Sequence, residues 1–350
     1  MGIPLDPDAR IVLVCRGGPE NGPFSAMAAR ILFEKLNLYG FKVSAIYASS
    51  GSTPTALLGC TGELSKLCNI WANIKPEDIV GKVRKGRAIY RILRRESILT
   101  SKFLGDLIRR SWNLDRIFSS SALPIKFPAV DILSNEYIIF SNKNPGHKKW
   151  FDKGVLGSMG LVPFLPPQMV FDPEAAGLIE SGKSILNALL LIDGGFKGNM
   201  LLEEAMRDQF DVIFLIDVHD LRPTSTDLST RYHWTSLLRT GLHILSNTND
   251  VRQFQMADRI NEEIRIKNEL LKLIEQLPDY HAPILRSIIS RMDEGRLRLG
   301  DKKEARIIIV SNPRYSTLFN FAKFTEEEVL TLLSAGEEAS NKVLERLGLD

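Results

Sequence analysis

Apolar residues in the first half of this chain come in blocks. Two short, almost wholly apolar runs, Ile11–Cys15 and Val43–Tyr47, are each followed by a stretch in which apolar residues recur at helical spacing, Ser25–Leu38 and Thr55–Asn73. Runs of this length suit strands buried on both faces, and recurrence every three to four residues gives a helix one buried face. The alternation predicts βαβ units on a mostly parallel sheet, hence an α/β fold. Further strands are predicted at Tyr137–Ser141, Leu189–Ile192 and Val212–Val218. The last is apolar at nearly every position, as a central strand must be.

After His219 the pattern changes. "LRPTSTDLSTRYHW" is a polar, threonine-rich connector, and Asp250–Gln276 carries a long helical pattern with both charge signs interleaved. A last strand is predicted at Ile307–Ser311. Beyond it lies a helix that Thr325 can cap and whose first turn is filled by glutamates, which suit the positive end of the helix dipole. The expected division is an α/β core over residues 1–222 and a mainly helical extension over 223–350 packed on it.

Composition narrows the function classes. The chain has 350 residues, 44% hydrophobic and 25% charged, with a net charge of +3. These are ordinary values for a globular protein and point neither to nucleic acid nor away from it. No apolar run reaches the length of a membrane span, and the opening "MGIPLDPDAR" lacks the features of a secretion signal. Cys15, Cys60 and Cys68 show no metal-finger or paired spacing, so neither disulfides nor structural zinc are expected and a reducing, cytoplasmic setting fits.

Two segments carry candidate chemistry. In "AIYASSGSTPTALL" an apolar strand runs into Ala48-Ser49-Ser50-Gly51-Ser52 and then into a helical stretch. That is the setting of a nucleophile elbow, in which a serine sits on a tight turn and its flanking residues must be small. Ser50, flanked at two positions' distance by Ala48 and Ser52, fits; Ser49 competes, but it would place the bulky Tyr47 at the restricted position. In "LLLIDGGFKGNMLLEEA" a buried strand ends at Asp193, and Gly194-Gly195 permit a sharp turn. Taken alone, each motif has an ordinary explanation: serine caps helices and Asp-Gly makes turns. Taken together they suggest a two-residue hydrolase site.

With "RIVLVCRGGPENG", the two segments resemble the patatin-like phospholipase family. The resemblance runs from about Arg10 to Val218, with a glycine-rich turn, a serine elbow and an Asp-Gly-Gly turn in family order, and "VLGSMGLVPFLPPQMV" similar to the stretch ahead of the family's aspartate. It implies a three-layer α/β/α core and lipid acyl-ester hydrolysis of phospholipase or lysophospholipase type, with no metal or organic cofactor. Ser50 and Asp193 would form the catalytic dyad, and Gly17 and Gly18 the oxyanion hole. The sequence departs from the family in three places. Ala48 and Ser52 stand for the elbow's glycines, Glu20 stands where a basic residue is usual, and Leu201 replaces a proline two residues after Asn199.

Rival readings remain at this level. A catalytically inactive relative could keep the fold and bind lipid or a protein partner. His219, directly after the strongest strand, could complete a Ser-Asp-His triad. Gly17 and Gly22 share P-loop spacing, but Pro23-Phe24 follows where Lys-Ser/Thr is required. His147, His233, His243 and His281 lack ligand spacing. From Lys82 to Arg110 the chain carries ten basic and two acidic residues interleaved with apolar ones. That stretch suits an anionic membrane surface, or a solvated basic face over an ordinary apolar stripe; no nucleic-acid module accompanies it.

Overall fold

The structure is a computed structural model that describes residues 5–18, 21–80, 97, 100–162, 164–171, 188–198, 200–217, 234–276, 283–287, 303–311 and 324–349. Its elements run β1 (Ile11–Cys15), α1 (Asn21–Leu38), β2 (Val43–Ala48), α2 (Thr53–Gly59), α3 (Leu64–Asn73), α4 (Pro76–Val80), α5 (Lys102–Ser111) and α6 (Leu114–Ile117). They continue with β3 (Ile125–Asp131), β4 (Glu136–Ser141), α7 (Phe151–Ser158), β5 (Gln168–Phe171), β6 (Ala188–Asp193), α8 (Leu202–Arg207), β7 (Val212–Ile216), α9 (Trp234–Glu275), β8 (Arg306–Val310) and α10 (Glu326–Leu347).

The described strands form one sheet in the order β5-β6-β3-β2-β1-β7-β8, with β4 also paired to β3. The β1–β2, β1–β7, β2–β3 and β7–β8 pairs are parallel. Alternate residues of the central strands enter different cores. Ile11, Leu13, Val212 and Phe214 join a cluster with α1, α2 and α10, while Val12, Val14, Ile213 and Leu215 join one with α8 and α9. Helices therefore cover both faces, the three-layer α/β/α arrangement expected. All five β1 side chains and all five of β7 are buried. Each such aliphatic contributes roughly 1.5–3 kcal/mol of transfer free energy, which explains why these runs needed no polar residues.

The single helix expected over Thr55–Asn73 is two. Gly62 adopts φ +75°, Gly62 N bonds to Gly59 O, and Glu63 N bonds back to Leu58 O at 2.8 Å. This pair of bonds around a left-handed glycine closes a helix C-terminus, and the chain restarts as α3. The Thr325 cap is present: its hydroxyl accepts from Glu328 N while Glu328 accepts from Thr325 N at 2.7 Å. Helix α10 lies against α1 closely enough that a Cβ on Gly336 would stand 2.5 Å from Phe24 O. Both β8 and α10 lie beyond residue 222, yet they share the sheet and its helical layer with earlier residues.

One feature of the sheet places the site. Strand β4 covers one edge of β3 from Lys126 to Asp131. The other edge is shared: β2 pairs at Ile125 and Lys126, and β6, running the opposite way, pairs at Ala129 to Asp131. The C-terminal ends of β2 and β6 thus point at each other along one edge of β3. Pro128, which has no amide hydrogen to offer a ladder, stands between them.

Candidate active site

The turn after β2 is strained at one residue. Ser49 is extended (φ −135°, ψ 159°), its amide bonded to Cys15 O at 3.2 Å. Ser50 then takes φ +47°, a left-handed conformation that costs a side-chain-bearing residue about 1–2 kcal/mol. A short 3₁₀ turn, Ser50–Ser52, leads into α2. Ser50 is thus the left-handed residue of this turn, with the small Ala48 and Ser52 at two positions' distance.

Asp193 ends β6 opposite Ala129. Ser50 Oγ donates to Asp193 Oδ2 at 2.5 Å, across 143 positions of sequence. The second carboxylate oxygen, Oδ1, accepts from Gly195 N at 2.8 Å, which fixes the plane of the group. Gly194 is required here because a Cβ would lie 2.6 Å from Pro128. Asp193 is 4% exposed. Burial pushes its pKa up to about 6 against the bonds from Ser50 and Gly195, which lower it. The carboxylate is therefore a stronger base than an exposed one and is still ionised near neutrality.

Gly17 and Gly18 follow β1. Cys15 pairs with Ala48, so Gly17 and Ser50 each stand two residues beyond paired strand ends, on neighbouring strands. Gly18 adopts φ +132°, a conformation that favours glycine. Ser52 occupies the position of a missing elbow glycine and is fully buried, with Oγ donating to Arg16 O at 2.7 Å and accepting from Ser25 Oγ at 3.0 Å. Ala48, at the other glycine position, is 1% exposed. Gly22, in the first turn of α1, lets that helix approach the elbow: a Cβ would meet Gly51 O at 2.9 Å.

A cavity of about 100 Å³ opens at Ser50 and Gly51 and runs between α2, α3, α4 and α5, walled by Leu58, Leu67, Ile74, Leu104 and Ile108 among other apolar side chains. Trp71 lines it too, with its indole N–H buried and unpaired. Helix α5 is the described end of the basic stretch from Lys82 to Arg110. It turns Leu104 and Ile108 inward and exposes Lys102, Arg109 and Arg110. Residues 81–96, 98 and 99 of that stretch lie outside the described residues, as do His219, Asn199 and the connector after His219. His147 Nδ1 accepts from Ser141 N at 2.9 Å, a structural role. Among the described residues no group of three or more His, Cys, Asp or Glu side chains could hold a metal ion, and no helix is long and apolar enough to cross a membrane.

Three charged residues beside the turn escaped the sequence reading. Arg16, 2% exposed, bonds through Nη1 to both oxygens of Asp217 (3.0 and 2.8 Å) and through Nε to Asp250 at 2.7 Å. Asp217 and Asp250 are fully buried. Burial alone would lower the Arg16 pKa, but the two carboxylates raise it, so the guanidinium stays charged. A signal existed: Arg16 and Asp217 each directly follow an all-apolar strand, and a charge placed there must find a partner.

No family model matches the chain, and no curated protein matches it. Among solved structures it is similar to the crystal structure of VipD from Legionella pneumophila, with a TM-score of 0.43 and 10% identity, over 97% of this chain and 67% of that one.

Proposed function

We propose that the chain is a patatin-like lipid acyl-ester hydrolase working through a Ser50–Asp193 dyad. The observation that carries this is the 2.5 Å bond from the hydroxyl of a left-handed Ser50 to a buried carboxylate, at the mouth of an apolar cavity. A serine is a weak nucleophile until a base takes its proton, and a desolvated aspartate with pKa near 6 is placed to do so.

Ser50 Oγ attacks the acyl carbonyl carbon as its proton passes to Asp193 Oδ2. The carbonyl π electrons move onto oxygen, where the Gly17 and Gly18 amides are the proposed donors. Collapse of this intermediate breaks the ester C–O bond. The departing alkoxide takes the proton from Asp193, leaving an acyl group on Ser50 and a free alcohol. Water then adds to the acyl carbonyl and gives its proton to Asp193. Release of the fatty acid returns that proton to Ser50.

The apolar cavity suits an aliphatic acyl chain, which supports phospholipids or lysophospholipids as substrates. The outer face of α5, with Lys102, Arg109, Arg110 and the 42%-exposed Phe103, suits an anionic lipid surface next to the cavity it walls. The test is labelling with a fluorophosphonate ester, comparing wild type with Ser50→Ala and mapping the adduct by mass. An adduct on Ser50 is expected. A folded wild type that forms none would replace this reading with that of an inactive relative. Turnover of lysophospholipid and of vesicles with and without phosphatidylserine then reads substrate and surface.

A further inference from the structure

Helix α9 comes from beyond residue 222, yet a single turn of it holds both halves of the site. Asp250 accepts from Arg16 Nε at 2.7 Å and lies 2.6 Å from Arg16 Nη2. Asn249 Nδ2 donates to Phe196 O at 3.3 Å, in the turn directly after Asp193. Gln253, one helical turn on, packs on Gly198 so closely that a Cβ there would lie 1.9 Å from its Nε2. Gly198 O in turn accepts from Tyr137 Oη at 3.0 Å, so the far end of the aspartate's turn is held by β4 as well.

Arg16 is held at every point. Its amide bonds to Ile216 O at 3.0 Å, its carbonyl accepts from Ser52, and its guanidinium is divided between Asp217 and Asp250. The residue after it is Gly17. Ordering a glycine turn is costly, because glycine gives up more backbone freedom on ordering than any other residue, so each contact that holds the turn counts. Arg16 helps to fix its start, and among the described residues Asp250 holds Arg16 from outside the sheet.

We propose that the α9 turn from Asn249 to Gln253 is the positioning element of the site, with Asp250 setting the glycine turn through Arg16 and Asn249 setting the Asp193 turn through Phe196 O. None of these residues reaches the reacting atoms. Their role for catalysis rests on the hydrolase reading above, but the mechanical role does not.

The experiment uses the full chain and three variants, Asp250→Ala, Asp250→Asn and Asn249→Ala, with amide hydrogen exchange and steady-state turnover on one short-chain ester. In Asp250→Ala, exchange at residues 16–18 rises at least about tenfold while α1 and α10 keep their protection, because opening becomes local. Asn249→Ala does the same at residues 194–198. Turnover falls about 100-fold in Asp250→Ala with KM within about twofold, the cost of misplacing groups by an ångström. Asp250→Asn, which keeps an acceptor for Nε, recovers most of it. If Asp250→Ala does not fold, Asn249→Ala decides alone, since Asn249 is only partly buried and carries no charge. Unchanged exchange in both turns, or changes spread evenly over the sheet, would overturn the proposal. Local exchange changes in a protein whose wild type hydrolyses nothing would leave the brace standing and remove the proposed function.

Discussion

Ser52 donates its hydroxyl bond to Arg16 O across 2.7 Å, so the residue standing in place of an elbow glycine ties the elbow to the glycine-rich turn. The departure from the G-x-S-x-G elbow pattern is thus a structural bond. Restoring the pattern by Ser52→Gly leaves a buried carbonyl without this partner and lowers stability by about 1–3 kcal/mol. Denaturant unfolding measures it. A variant as stable as wild type would mean the bond does nothing for the fold.

Ser50 carries a backbone strain that glycine would not. Ser50→Ala and Ser50→Gly should both lose probe labelling and turnover, while Ser50→Gly unfolds later by about 1 kcal/mol. Thermal melts of the two inactive variants make the comparison free of any change in chemistry. Equal melting points would place the strain elsewhere.

Asp193 links activity to pH with a definite sign. As the proposed base it must be ionised, so kcat/KM should rise through about pH 6 and be level above it. Stability moves the other way. The folded pKa lies above the ordinary 3.8, so the folded state holds the proton more tightly than the unfolded one. Stability is therefore lost as pH climbs from 3.8 through about 6, by about 3 kcal/mol at most. Asp193→Asn keeps both bonds, its oxygen to Gly195 and its nitrogen to Ser50, without the buried charge. It should match wild type at pH 4, exceed it at pH 8, and lose at least about 1,000-fold in turnover. Melting curves at the two pH values settle the sign.

The cavity predicts chain-length selection. Leu107 lines it from a partly exposed position on α5, so Leu107→Trp fills space with little damage to the core. Turnover of a long-chain ester should fall at least about tenfold relative to an acetyl ester, since a few lost methylene contacts are worth about 1–3 kcal/mol. An unchanged ratio would place the acyl chain elsewhere.

The central strands, the elbow at Ser50 and the Asp193 turn were legible because each obeys a local rule: apolar runs for buried strands, small neighbours for a tight turn, glycines after a strand end. What was not legible is non-local. Strand β3, broken in pattern by Lys126 and Pro128, gives no clean apolar run, yet it is the strand along which Ser50 and Asp193 are brought together. Gly62 lies within the helical spacing of Thr55–Asn73, and its left-handed backbone, which that spacing does not reveal, splits the pattern in two. Asp250 sits in a stretch of mixed charge that reads as a solvated helix face, and only its 234-residue reach to Arg16 identifies it. Pairwise burial of charge leaves no periodicity to read.

The two strands that deliver Ser50 and Asp193 meet end to end along one edge of β3, and no hydrogen bond of either ladder joins them directly. The gap between Ser50 and Asp193 is therefore set by where β6 stops on β3, in whole-residue steps of about 3.3 Å that also turn a side chain to the opposite face. A slip of one step would preserve the sheet and most of its burial while leaving serine and aspartate out of reach. If the proposed hydrolysis is found, its rate would in that sense gauge strand alignment, reading out a one-residue error that spectroscopy of the fold would pass over.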